Sequence, residues 1–136
     1  MKSNFAYILA PLLGYLLAHS IKYLLGLRRR GTWRQWFQTG GMPSSHTAVV
    51  VALTSVIFFH EGTTSLFAVA ATFSSIVIYD AMVARRSIGE QGKALLELLG
   101  ENGRKVKIAL GHTPQEVLAG TVLGVFIGFV VALFTM

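Results

Sequence analysis

The sequence predicts an all-α fold: a polytopic membrane protein in which four transmembrane helices form a bundle. Two observations lead to this prediction. Hydrophobic residues make up 53% of the 136-residue chain and charged residues only 13%, and the apolar positions fall in long blocks instead of alternating with polar ones. A transmembrane helix needs about 20 mostly apolar residues. Three blocks reach that length, namely residues 5–25, 65–83 and 117–136.

The remaining transmembrane helix, second in chain order, is predicted from a shorter apolar run. Residues 47–59 are too few to span a bilayer alone. Pro43-Ser44-Ser45 comes just before them, and a proline followed by hydroxyl residues is typical of a helix start. Counting the helix from Ser44 brings it close to spanning length. We therefore expect residues 1–136 to form a single integral membrane domain.

An amphipathic helix is predicted before the last transmembrane helix. Residues 87–110 are too polar to span a membrane, yet their apolar side chains share one helical face: Ile88, Leu95, Leu98 and Leu99. Such a helix lies at the membrane interface, and we expect it to end at Gly100 or at Asn102-Gly103. Two roles are open for it, since it could cover the end of the bundle or close over a substrate.

The positive charge of the chain is concentrated on one predicted side of the membrane. All of the 12 lysine and arginine residues except Lys2 fall around the connection between the first two helices or within the one between the last two. The positive-inside rule places both connections in the cytoplasm of an integral cell-membrane protein with four spans. Nucleic acid is not an expected partner, because basic residues that border apolar spans are explained by anionic lipid headgroups.

Histidines stand at the starts of two predicted helices on this cytoplasmic side. His46 ends the segment Gly40-Gly41-Met42-Pro43-Ser44-Ser45-His46, and His112 belongs to Gly111-His112-Thr113-Pro114-Gln115-Glu116. Hydroxyls and helix N-terminal N–H groups can hold a phosphate, and an imidazole can transfer a proton. These segments predict an active site. Simple helix capping is the alternative, above all for Glu116, which completes a capping box.

These segments resemble the motifs of a divergent family related to type 2 phosphatidic acid phosphatases and vanadium haloperoxidases. The parent superfamily carries Lys-x6-Arg-Pro, Pro-Ser-Gly-His and Ser-Arg-x5-His-x3-Asp on a helical bundle. Lys22 and Arg29 have the first spacing, although Arg30 replaces the proline. Pro43-Ser44-Ser45-His46 matches the second motif except at Ser45.

The third motif of the resemblance is incomplete. His112 and Glu116 keep the spacing of its histidine and acid, with Glu in place of Asp, but the position of its arginine is occupied by Val106. The substitute is then one of four basic residues: Arg85, Arg86, Lys105 or Lys107. We favour Arg86, because Ser87 beside it repeats the Ser/Arg pair of the motif in reversed order.

The resemblance implies a lipid phosphatase that needs neither a metal ion nor another cofactor. His112 would attack phosphorus, Glu116 would hold the imidazole of His112, and His46 would protonate the leaving oxygen. Asp80 would pair with a basic residue and orient a phosphate-binding arginine. The side chains implied in phosphate binding are Lys22, Arg29, Ser44, Ser45, Arg85 and Arg86. The substrate would be a phosphomonoester or pyrophosphate of a lipid, and the competing interpretation is a lipid-phosphate binding or transport protein without enzymatic activity.

Further predictions concern residues outside these motifs. Gly120, Gly124 and Gly128 recur every four residues, a spacing that lets membrane helices approach closely. They would serve either packing within the bundle or a homodimer. His19 is expected to be a structural histidine with its hydrogen bonds satisfied, and the segment His60-Glu61 is expected to form a solvated turn.

Overall fold

The structure is a computed structural model that describes residues 2–27, 41–100 and 111–136. Its α-helices are α1 (Lys2–Leu27), α2 (Ser45–Glu61), α3 (Ser65–Tyr79), α4 (Arg85–Leu99) and α5 (Pro114–Thr135), and a π-helical turn over Asp80–Ala84 joins α3 to α4. No strand occurs in these three ranges, so the predicted all-α class is confirmed for them.

In this described part of the chain, three helical stretches are long and apolar enough to cross a membrane: Asn4–Gly26, Ser65–Leu99 and Pro114–Thr135. Helix α2 has 17 residues and is shorter than these candidate spans. At 1.5 Å per residue it measures about 26 Å, somewhat less than the roughly 30 Å of a hydrocarbon core. The structure is therefore a membrane helical bundle with three candidate spans, and the predicted fourth span stays a prediction.

Helix α2 lies at the centre of the bundle, in contact with α1, α3 and α5. The core is built mainly from small or β-branched side chains of three helices, namely Ala6, Ala10, Ala52, Val56, Ile127, Val131 and Ala132. Large apolar side chains such as Phe73, Phe126 and Phe134 are exposed instead. Small residues inside and large apolar residues outside are the arrangement expected when the surroundings are lipid.

The glycines of α5 lie directly against α2. A Cβ atom on Gly120 would stand 2.5 Å from the carbonyl oxygen of Ser44, and one on Gly124 would stand 2.9 Å from that of Ala48. Gly128 is likewise buried against α2. The two roles predicted for these glycines were packing within the bundle and formation of a homodimer. The structure shows packing within the bundle. A homodimer through these glycines would require α2 to be displaced, and it stays a prediction.

Helix α4 continues α3 past the π-turn and leaves most of its apolar side chains uncovered. Ile88, Leu95 and Leu98 are exposed. The helix ends at Gly100, whose φ of +53° favours glycine and whose N–H donates to the carbonyl of Leu96. The predicted amphipathic helix is thus confirmed with its end at Gly100. It begins at Arg85, slightly earlier than expected, because the chain stays helical from α3 through the π-turn into α4.

At the other end of α2, the segment His60-Glu61 is more than a solvated turn. The hydroxyl of Tyr7 donates to Glu61 Oε1 at 2.6 Å, and His60 Nε2 lies 2.9 Å from Thr135 Oγ1. These hydrogen bonds join α1, α2 and α5. The expectation of a merely solvated turn was wrong, since long-range partners of this kind leave no local sequence signal.

Candidate active site

The start of α5 fixes the position of Glu116. Thr113 is the N-cap residue and Pro114 opens the helix. Thr113 Oγ1 accepts a hydrogen bond from the N–H of Glu116 at 3.3 Å, and Glu116 Oε2 accepts one from the N–H of Thr113 at 3.1 Å. This is a complete capping box, so hydrogen bonds in both directions hold Thr113 and Glu116 in place.

The same carboxylate oxygen also holds His112. Glu116 Oε2 lies 2.9 Å from His112 Nδ1, and the histidine is only 5% exposed. Because a carboxylate can only accept, Nδ1 must carry the proton, and Nε2 of the neutral ring is left unprotonated. Helix capping and orientation of the histidine were alternative explanations of Glu116. The structure combines them.

The backbone around His112 is anchored on the π-turn between α3 and α4. The N–H of His112 donates to the carbonyl of Ala81 at 3.0 Å. In the same turn the N–H of Arg85 reaches the carbonyl of Asp80, five residues back. A Cβ atom on Gly111 would stand 2.6 Å from the backbone nitrogen of Arg86, so only glycine permits this approach. The two halves of the third motif, separated in sequence by residues 87–110, therefore meet in space.

His46 lies beside His112. It is exposed in the first turn of α2, and its ring centroid is 6.2 Å from that of His112. The N–H of Ser44 donates to the carbonyl of Glu116 at 2.9 Å, which joins the start of α2 to the start of α5. The structure thus brings together the three residues that were predicted to be catalytic.

The serines before His46 are buried. Ser44 caps α2, and its Oγ accepts hydrogen bonds from the N–H of Thr47 at 3.4 Å and from Thr47 Oγ1 at 3.0 Å. Ser44 has no exposed surface, and Ser45 is 5% exposed. Capping, the alternative for this segment, is thus a role that the structure shows for Ser44. Phosphate binding by Ser44 and Ser45 stays a prediction.

Cationic side chains surround the histidines. The half-buried Lys22 packs its methylene groups near Gly41, and its charge interacts with Glu116. The positive charges of Lys22 and Arg85 both act on His46. Arg85 Nε also lies 3.4 Å from Asp80 Oδ2, the ion pair expected for this aspartate. Three predicted or considered basic residues lie outside the described residues, namely Arg29, Lys105 and Lys107.

A cavity of about 400 Å³ adjoins His112. The side chain of Arg86 is 70% exposed there, and its Nε lies 3.4 Å from Glu90 Oε1. The charge of Arg85 acts on His46, and Arg86 shares a cavity with His112, so both remain candidates for the missing arginine. The lining residues are Met82, Val83, Arg86, Ser87, Glu90, His112 and Pro114.

Two residues near this site were not predicted to belong to it. His19 Nδ1 lies 3.0 Å from the carbonyl oxygen of Tyr15, and His19, when protonated, repels a positive charge on His46. Its position three residues before Lys22, on the same face of α1, was the available signal. Glu90 was given no role from the sequence, although its spacing of four residues from Arg86 is that of an ion pair.

The chain is similar to known membrane proteins over most of its length. Residues 3–127 match the family described as Divergent PAP2 family. A relative in Bacillus subtilis (strain 168), the uncharacterized membrane protein YuiD, is 38% identical over 127 residues, which cover 79% of this chain and 80% of the relative. No solved structure matches the chain. With a family match over nearly its whole length and a relative of this identity, the chain belongs to the divergent PAP2 family.

Proposed function

We propose that this protein is a membrane-embedded lipid phosphatase that hydrolyses a phosphomonoester or pyrophosphate through a phosphohistidine intermediate. The observation that carries the proposal is the sequence of contacts from Glu116 through His112 to His46. A carboxylate that orients one imidazole, with a second imidazole opposite, is suited to a nucleophile and a proton donor.

In the first half of the reaction, His112 Nε2 attacks phosphorus as the bond to the leaving oxygen breaks. His46 gives that oxygen its proton, and Glu116 stabilises the positive charge that His112 acquires. A nucleophile attacks from about 3–3.5 Å, and an acid reaches its oxygen at about 2.6–3.2 Å. Two rings whose centres are 6.2 Å apart are close enough to act on the same phosphoryl group bound beside them.

In the second half, a water molecule attacks the phosphohistidine. His46, now neutral, takes a proton from this water, the P–N bond breaks, and phosphate leaves with His112 restored. Lys22, Arg85 and Arg86 neutralise the phosphoryl oxygens in both steps, and preorganised cations of this kind stabilise the transition state. Arg29, Ser44 and Ser45 complete the proposed phosphate-binding set.

The substrate is proposed to be a lipid because the site lies where helices of a membrane bundle begin. We further propose that α2 crosses the membrane as a fourth span, shorter than the others. Both basic connections and the site would then face the cytoplasm by the positive-inside rule. A phosphate on a lipid headgroup of the inner leaflet would reach the histidines without leaving the bilayer.

The role of His46 is tested with leaving groups of different basicity. His46→Ala should slow hydrolysis of an alkyl lipid phosphate by about 10²–10⁴-fold, the usual contribution of a positioned acid. With an aryl phosphate such as 4-nitrophenyl phosphate, the 4-nitrophenolate leaves without needing a proton. The rate of hydrolysis of this substrate should therefore fall much less. Release of phosphate by purified protein in detergent measures both rates.

The matched control for this experiment is His60→Ala, because His60 lies on the same helix at the opposite end of the bundle. It should retain the wild-type ratio of the two rates. Equal losses for alkyl and aryl substrates in His46→Ala would contradict an acid role for His46.

The side of the membrane is tested with single cysteines, since the chain contains none. Thr63, in the connection between α2 and α3, and Lys93 on α4 are both exposed. In intact cells a membrane-impermeant maleimide should label Thr63→Cys and leave Lys93→Cys unlabelled until the cells are lysed. The opposite pattern would move the site to the outer leaflet and change the candidate substrates.

The second candidate function is binding or transport of a lipid phosphate without hydrolysis. The observation that favours it is the absence of an arginine at its expected place in the third motif, together with the ion pairs that Arg85 and Arg86 form with carboxylates. Phosphate release from a panel of phospholipids and polyprenyl phosphates separates the candidates. A binder would retain affinity for these lipids and release no phosphate.

A further inference from the structure

Glu90 places a negative charge in surroundings that otherwise favour anions. It lines the same cavity as His112 and Arg86, and its carboxylate lies 3.4 Å from the guanidinium of Arg86. Its side chain is 67% exposed, so the charge is solvated and bears on whatever enters the cavity. Nothing in the proposed reaction uses this carboxylate.

The contact between Glu90 and Arg86 has a consequence for binding. A phosphate that uses Arg86 must share the guanidinium with Glu90 or take its place. In either case Glu90 opposes the ligand in proportion to the negative charge that the ligand carries. Such repulsion acts across a Debye length of about 8–10 Å at physiological salt, so it does not depend on one binding pose.

We propose that Glu90 is a specificity-determining residue that favours lipid monophosphates over lipid diphosphates. This inference rests on the proposed function and narrows its substrate class. A diphosphate carries more negative charge than a monophosphate on the same lipid, so Lys22 and Arg85 attract it more strongly and Glu90 repels it more strongly. The charge of Glu90 therefore penalises the diphosphate more strongly.

The test compares one lipid chain bearing either one or two phosphates, in vesicles of uncharged phosphatidylcholine. Equilibrium binding is measured in the His112→Ala background, where turnover is blocked, and kcat/KM is measured with His112 present. Glu90→Gln should tighten binding of the diphosphate about two- to fivefold more than binding of the monophosphate, the range that an exposed charge pair supports. Glu90→Lys should enlarge this difference, and added salt should reduce it.

The matched control is Glu97→Gln, which removes a charge from an exposed position of the same helix that does not line the cavity. It should leave the ratio of the two dissociation constants unchanged. Equal effects of Glu90→Gln on both lipids would overturn the inference and leave Glu90 as a helix-stabilising partner of Arg86. A shifted binding ratio without turnover of either lipid would support the inference as selectivity of binding, and it would refute the proposed hydrolysis.

Discussion

Replacing His112 with alanine should abolish phosphate release while the protein continues to bind lipid phosphates. The imidazole is the only group proposed to form a bond to phosphorus, and without it the reaction loses its covalent intermediate. We expect a loss of at least about 10³-fold in kcat, in line with the removal of nucleophiles elsewhere. Binding should persist, because Lys22, Arg85 and Arg86 still attract the phosphate.

The phosphohistidine itself can be detected as a labelled phosphate on the protein. Brief incubation of the wild-type protein with a lipid carrying labelled phosphate should leave an acid-labile, base-stable label on the protein, and His112→Ala should carry none. Glu116→Gln provides a graded comparison, since it keeps a side-chain oxygen for the capping box and removes the charge that stabilises the imidazolium. Full turnover by His112→Ala would end the mechanism and favour lipid-phosphate binding or transport.

Replacing Gly120 with alanine should destabilise the bundle and disturb the site together. The added Cβ would stand 2.5 Å from the carbonyl oxygen of Ser44, and a backbone atom cannot move aside as the end of a side chain can. Overpacking of this kind costs about 1–3 kcal/mol of unfolding free energy. Because Ser44 caps the helix that carries His46, phosphate release should fall as well. Chemical unfolding in detergent and phosphate release measure the two effects.

The control for this substitution is Val122→Ile, which also adds one carbon to α5 but on its exposed face. It should change neither stability nor activity. If Gly120→Ala were as stable as the wild type, the close contact between α2 and α5 described above would be incorrect.

The fold could be predicted where its signals are local. Apolar blocks identify helices, and Thr113-Pro114 with Glu116 identifies a helix start, because these features depend on residues a few positions apart. The length of α2 was harder to judge. A helix surrounded by other helices is apolar on all sides, and its sequence does not separate a short span from a buried core helix.

The two histidines of the candidate site could be predicted. The backbone contact that brings His112 to the π-turn could not. His46 and His112 were found because each stands at a helix start with a motif around it. The choice between Arg85 and Arg86 depended on how the chain returns to the π-turn, and the approach of Gly111 to the Arg86 backbone has no signature in sequence. Capping by Ser44 could be predicted, but its phosphate binding stays a prediction, because helix caps and phosphate sites use the same residue type.

The contact between Gly111 and Arg86 fixes both ends of the segment that separates them in sequence. Residues 87–110 depart from and return to the same point on the bundle, so their anchors do not depend on what lies between them. This segment is therefore a suitable place for exchange between relatives. In the proposed phosphatase, such an exchange should alter headgroup preference while His46 and His112 keep their positions.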